Sequence, residues 1–131
     1  FRRVLFRSAG GDAPGGPWSP AGHNWQPYVR TAQVSGIAAA ELQSADPEAL
    51  ARRWADMAEI ALGRDAAGNP VIPLDNAELR FVEATDGRGE GLGGIDVTCT
   101  DRDAVLAGAR ARGCYVNDEQ VALVGLRINL R

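Results

Sequence analysis

Histidine occurs once in the 131 residues, at position 23, methionine once and cysteine twice. One imidazole excludes the histidine-rich ligand sets that catalytic transition metals prefer. Cys99 and Cys114 are too few for a disulfide scaffold, and they lack the Cys-x-x-Cys spacing of a structural zinc site. The expectation is two packed thiols in a reducing, cytoplasmic compartment. Neither sign of charge dominates: 14 basic residues stand against 17 acidic ones, a net charge of -3, so no nucleic-acid or membrane-surface partner is expected. No apolar run approaches the roughly 18 to 20 residues that cross a bilayer, and no basic-then-apolar leader ending in a small-residue cleavage site is expected. What remains, 45% hydrophobic and 24% charged, has the make-up and length of one ordinary domain.

The single methionine, Met57, lies inside a helical pattern, so the numbered chain is expected to begin downstream of its initiator. Leu5-Phe6-Arg7-Ser8 looks like a translated sequencing-adapter end. Residues 9–27 are mainly Gly, Pro, Ala and Ser with Trp18, His23 and Trp25 interspersed, a composition that buries too little apolar area to order itself. Residues 1–33 are therefore expected to be a linker or a non-native segment, poorly ordered. A domain is expected over 34–131.

An internal repeat sets the architecture of that domain. The stretch at 36–51 lies over the stretch at 91–106 at a constant offset of 55, aligning Gly36 with Gly91 and Asp46 with Asp101. A second echo pairs Arg80 with Arg127 at an offset of 47. Each unit opens with a strand and passes into a helix capped by Asp46 or Asp101, with Pro47 where a missing N–H costs nothing. Leu50, Ala51, Trp54, Met57 and Ala58 form the apolar stripe of the first helix, with Trp54 read as core. Val105, Leu106 and Ala109 form that of the second, which Gly113 stops. Short strands follow, at about 59–64, 69–74 and 78–84 in the first copy and 114–116, 120–124 and 126–130 in the second. Asp65-Ala-Ala-Gly68 and Asp75-Asn76 are the turns of the first copy. Each copy reads βαβββ, as modules 34–85 and 91–131, and the Gly-rich, charged residues 85–91 are the joint.

Two tandem βαβββ units, with Asp-Pro-Glu-Ala or Asp-Arg-Asp-Ala after the first strand, resemble the vicinal oxygen chelate superfamily, which includes glyoxalase and the extradiol dioxygenases. Glu41-Leu-Gln-Ser-Ala-Asp-Pro, Leu79-Arg-Phe-Val and the run Asp-Gly-Arg-Gly-Glu-Gly-Leu-Gly-Gly-Ile-Asp at 86–96 look especially like bacterial glyoxalase-like domain proteins. The resemblance implies an α+β fold: a U-shaped, mostly antiparallel eight-stranded sheet, helices on its outer face, metal and substrate in its hollow. In metal-binding relatives a histidine usually precedes the capping aspartate by seven residues. Those positions here are Ala39 and Gly94, so no metal ligand and no cofactor is expected within this chain, while a divalent metal in a longer parent stays open.

Strand alternation places Ala38, Ala40, Leu42, Ile95, Val97 and Cys99 under the helices. It sends Ile37, Ala39, Glu41, Gln43, Leu92, Gly94, Asp96 and Thr98 into the hollow, where Arg80 and Arg127 join them with Glu78, Val82 and Asn129. Glu41, Gln43, Arg80, Asp96, Thr98 and Arg127 are thus the candidate substrate-binding set, with no catalytic residue assigned. They form either a polar pocket whose guanidinium forks grip an oxyanion or a set of groups that satisfy one another, Glu41 with Arg80 and Asp96 with Arg127. Two functions follow: a metal-free domain that scaffolds or completes a small-molecule pocket, or part of a metal-dependent lyase, isomerase or dioxygenase whose ligands lie upstream. Nucleophilic chemistry through Cys99 or Cys114 ranks below both, because Cys99 lies under a helix and Cys114 follows a helix C-terminus. The expected partners are a small molecule and either a second copy of the chain or an upstream domain of the same fold.

Overall fold

The structure, a computed structural model, describes residues 24–131. Trp18 and His23 lie outside them, as does most of the expected linker. A short piece ending at Arg30 holds a one-turn 3-10 helix at Gln26–Tyr28, and a separate compact unit runs from Thr31 to Arg131.

In that unit the order is β1 (Val34–Ser44), α1 (Pro47–Ala58), β2 (Gly63–Arg64), β3 (Pro70–Pro73), β4 (Glu78–Glu83), then β5 (Gly91–Cys99), α2 (Arg102–Ala111), β6 (Tyr115–Asn117), β7 (Gln120–Leu123) and β8 (Leu126–Leu130). The βαβββ unit is present twice. One open sheet of eight strands results, ordered β2-β3-β4-β1-β5-β8-β7-β6. Within each module the first and last strands pair in parallel, and every other pairing is antiparallel. The modules join where β1 pairs β5. Ala39 lies opposite Asp96 there, and Glu41 opposite Gly94. These two pairs exchange under the offset of 55, so a pseudo-twofold axis passes beside Ala40 and Ile95.

The helices begin where the capping chemistry places them. The Asp46 carboxylate accepts from the Ala49 N–H at 2.9 Å and the Asp101 carboxylate from the Ala104 N–H at 3.0 Å, each satisfying an amide that the first turn leaves without a partner. Each helix covers the same face of its own module. Leu50, Ala51 and Ala55 of α1 pack on Ile72 and Phe81, with Leu42 and Leu79 beside them. Leu106 and Ala109 of α2 pack on Val97, Val121 and Leu130, with Ile95, Cys99 and Cys114 at the margin. Both thiols are free and half-buried in that packing. No helix among the described residues is long and apolar enough to cross a membrane.

Three sequence expectations need correction. Trp54 is 37% exposed and Met57 69% exposed. The buried stripe of α1 is centred on Ala51 and Ala55, whose small side chains let the helix approach the sheet, while Trp54 lies at the rim with its ring edge-on to Phe81. The strand expected from residue 59 is only Gly63–Arg64, because Glu59 ends α1 in the left-handed region at φ 58°. Val124, expected to end a strand, instead forms with Gly125 a two-residue turn between the paired Leu123 and Leu126. Both turn residues have positive φ, 48° and 81°.

Candidate functional site

The face of the sheet turned away from the helices is built by β1 and β5 at its centre, flanked by β4 and β8. Alternation along β1 turns Leu42 to the apolar core and Glu41 and Gln43 to the open side, where they are buried by side chains from the other central strands. Asp96, 1% exposed, holds the equivalent place on β5.

Arg80 reaches from β4 across β1 to the other module. Its Nη1 and Nη2 donate to the two carboxylate oxygens of Asp96 at 2.8 and 2.7 Å, a bidentate fork, and Nη2 also donates to Glu41 Oε2 at 3.1 Å. Asp96 further accepts from Asn129 Nδ2 at 2.7 Å and pairs with the Arg131 guanidinium. Arg127 crosses in the opposite sense. Its Nε and Nη2 donate to Glu41 Oε1 at 2.9 and 2.7 Å, Nη2 also to Gln43 Oε1 at 2.9 Å, and Nη1 to Asp86 Oδ2 at 2.9 Å. Glu41 therefore bridges both arginines. Counting Glu78 and Arg88, four guanidiniums meet four carboxylates. Among the described residues no buried side-chain nitrogen or oxygen lacks a hydrogen-bond partner.

Proton affinities follow the contacts. Burial pushes the Asp96 carboxyl up, but the Arg80 fork, the Asn129 amide and the charges of Arg80 and Arg131 outweigh it and hold the group below its ordinary range. The Asp96 carboxylate in turn raises the Arg80 guanidinium further above its usual value, against burial. Asp86 is held low mainly by the Arg88 side chain and N–H, with the Gln43 amide contributing.

Of the six expected site residues, Glu41, Gln43, Arg80, Asp96 and Arg127 converge. Thr98 is exposed and its side chain stays outside the network, its carbonyl oxygen accepting weakly from Ser35 Oγ at 3.3 Å. The expected pairing of Asp96 with Arg127 does not form. The reason is register: Arg80 lies opposite Glu41, whereas Asn129, not Arg127, lies opposite Asp96. The positional counterpart of Arg80 is thus Asn129, and the offset of 47 misaligns the last strands by two residues. Asp86 and Arg131 were not anticipated. Arg131 continues the alternation of Arg127 and Asn129 and was within reach of pattern reasoning, but Asp86 sits in a glycine-rich joint without periodicity.

Two glycines on β5 make room for the network. An irregularity in the pairing falls between Glu41 and Leu42, and Gly93 opposes neither. A Cβ on Gly93 would collide with Arg127 Nη2 and lie 2.6 Å from Gln43 Oε1, and one on Gly94 would lie 2.9 Å from the Arg127 carbonyl oxygen. This tests the divalent metal that the fold implies. Ala39 and Gly94 offer no donor, the space beside Gly94 holds Arg127, and Glu41 and Asp96 are each engaged by guanidiniums. No three His, Cys, Asp or Glu side chains among the described residues converge as a ligand set. The donor set does not fit the metal.

Beside this cluster lies a polar cleft of about 340 Å³, lined by Asn117, Gln120, Asn129 and Arg131 with Arg80 and Asp96 at its inner end.

No protein-family model and no curated protein matches the sequence. Solved structures do. Methylmalonyl-CoA epimerase from Mycobacterium tuberculosis aligns with a TM-score of 0.58 at 16% identity, over 78% of this chain and 90% of its own. Streptomyces coelicolor methylmalonyl-CoA epimerase, in complex with 2-nitronate-propionyl-CoA, aligns at 0.52 and 14% identity over 74% and 93%. 2,2',3-Trihydroxybiphenyl 1,2-dioxygenase from Sphingomonas wittichii strain RW1 aligns at 0.50 and 19% identity, over 74% of this chain but 40% of its own. The epimerases and the dioxygenase are vicinal oxygen chelate proteins. This chain has the fold of that superfamily.

Proposed function

We propose that this chain is a domain of the vicinal oxygen chelate type that works without a metal of its own and completes or scaffolds a small-molecule pocket. One observation supports the reading above others: the central carboxylates, Glu41 and Asp96, are held by the arginines of the opposite module, where a metal site would need them free. The cleft beside Asn129 offers amides and the guanidiniums of Arg102 and Arg131, with Glu119 on its wall, to a polar ligand. Its partner is a second copy of the chain or another domain of the same fold, for which Ile37 and Leu92, 59% and 48% exposed on the central strands, offer apolar contact. The cytoplasm suits the two free thiols.

A second reading is favoured by the dioxygenase alignment, which spans 40% of that longer chain: the domain is one part of a metal-dependent enzyme whose ligands lie elsewhere. Equilibrium dialysis of the purified chain against Mn²⁺, Ni²⁺ and Zn²⁺ tests the first reading, which expects no stoichiometric uptake. One equivalent bound in a manner that Glu41→Gln abolishes would overturn it.

A further inference from the structure

The joint between the modules returns to the site. Asp86 Oδ2 accepts from Arg127 Nη1 at 2.9 Å and from Arg88 Nε and Nη2 at 2.9 and 2.6 Å, while Oδ1 accepts from Gln43 Nε2 at 2.7 Å and the Arg88 N–H at 3.0 Å. An aspartate serving only its turn needs the last of these alone. Two guanidiniums and an amide instead surround a carboxylate whose side chain remains 24% exposed. Gln43 is buried at 1% exposure, and its donor is aimed at Asp86 because its own carbonyl oxygen accepts from Arg127. These donors would stand ready for an acceptor in the absence of Asp86.

The segment holding Asp86 has no apolar anchor. Residues 85–90 are all exposed, and Gly87 and Gly89 have φ of 76° and 78° with open space where a Cβ would point. Polar contacts fasten the strap: those of Asp86, the Gly89 carbonyl oxygen accepting from Gln43, Arg88 donating to the Gly93 carbonyl oxygen, and Glu90 with Ser44 and Arg53. A loop without buried apolar anchors opens at low cost.

We propose that Arg127 and Gln43 form a binding site for the carboxylate of a small molecule and that Asp86 is its resident occupant. With the strap down the site fills itself. An incoming carboxylate takes the place of Asp86 on Arg127 and Gln43, and the strap, with Arg88, lifts. The class is a carboxylate because the donors divide between two coplanar oxygens, Arg127 on one and Gln43 on the other. None of these residues lines the cleft beside Asn129, so the site is additional to that pocket.

The tethered occupant competes with the ligand. If the open strap is populated at or below roughly 10%, removing Asp86 tightens binding by about tenfold or more. The test is malonate titrated calorimetrically, at constant ionic strength in chloride, into wild type, Asp86→Ala and Asp86→Ala with Arg127→Met. Hydrogen exchange of residues 86–91 is followed in the wild type. Malonate is expected to bind Asp86→Ala at least tenfold more tightly than wild type, to lose that gain in the double variant, and to speed exchange of the wild-type strap. Should Asp86→Ala not unfold cooperatively, Asp86→Asn keeps the shape without the charge and the same gain is expected. Binding indifferent to Arg127, phosphate bound to Asp86→Ala as tightly as malonate, or a wild type that neither binds malonate nor loosens its strap would overturn the proposal.

Discussion

Arg80 and Asp96 are worth most as a pair and least apart. Taking Arg80 away leaves a carboxylate at 1% exposure with only an amide and a rim guanidinium, so Arg80→Met should cost about 3–5 kcal/mol in chemical denaturation. Replacing both partners, Arg80→Met with Asp96→Leu, should recover most of that loss, because well-packed apolar groups pay no desolvation. A double variant no more stable than Arg80→Met would show that the pair is not an isolated ionic unit. Asp96 also gives the network its pH dependence. Its carboxyl is held low in the folded chain, so its contribution is fully present above the ordinary carboxylate value, near 4, and is lost as the pH falls through the lower folded value. Asp96→Asn should flatten stability against pH below about 4 and leave the slope at neutral pH unchanged. The glycines of β5 make a graded pair: on Gly93 a methyl group meets the movable tips of Arg127 and Gln43, whereas on Gly94 it meets the β8 backbone. Gly94→Ala should therefore lower the melting temperature more than Gly93→Ala.

At the scale of elements, the turn between β7 and β8 is the clearest mismatch of residue and backbone. Val124 is 97% exposed at φ 48°, a region that β-branched residues avoid and that asparagine before glycine adopts readily. Val124→Asn should stabilise the chain by about 1 kcal/mol, a rise of about 4–8 °C in melting temperature for a domain near 100 residues. No rise would mean that the turn relaxes in solution. The helix starts were legible because capping is local, a side-chain oxygen three residues from the amide it serves. The phase of α1 was not. Large apolar residues dominate a periodicity, so Trp54 and Met57 drew the expected stripe past Ala55, where close approach of helix to sheet selects a small side chain, although Leu50 and Ala51 were placed in it correctly.

On the scale of the whole molecule, the duplication was legible because β1 and β5 keep a constant offset through their helix caps, and alternation then assigned both faces of the central strands. The ionic pairing was legible only in part: Glu41 does meet Arg80, but Asp96 meets Arg80 and Asn129 instead of Arg127. It depends on the register of β4 against β1 and β8 against β5, and a shift of two residues preserves alternation while changing every cross-strand neighbour. Asp86 was hidden for another reason, since a glycine-rich joint has no period from which to infer where its carboxylate returns. The two apolar clusters are separate, one under each helix. The crossing arginines therefore tie the modules together on the open face, alongside the β1–β5 pairing. Whether those carboxylates answer to arginine or to a cation is most directly measured by titrating Mn²⁺ into isotopically labelled chain and recording the amide signals of Ala39, Glu41, Gly94 and Asp96. An ionically closed face predicts that these signals stay as sharp as those of the helices at one equivalent of Mn²⁺. Selective broadening of those four, reversed by chelator, would contradict it.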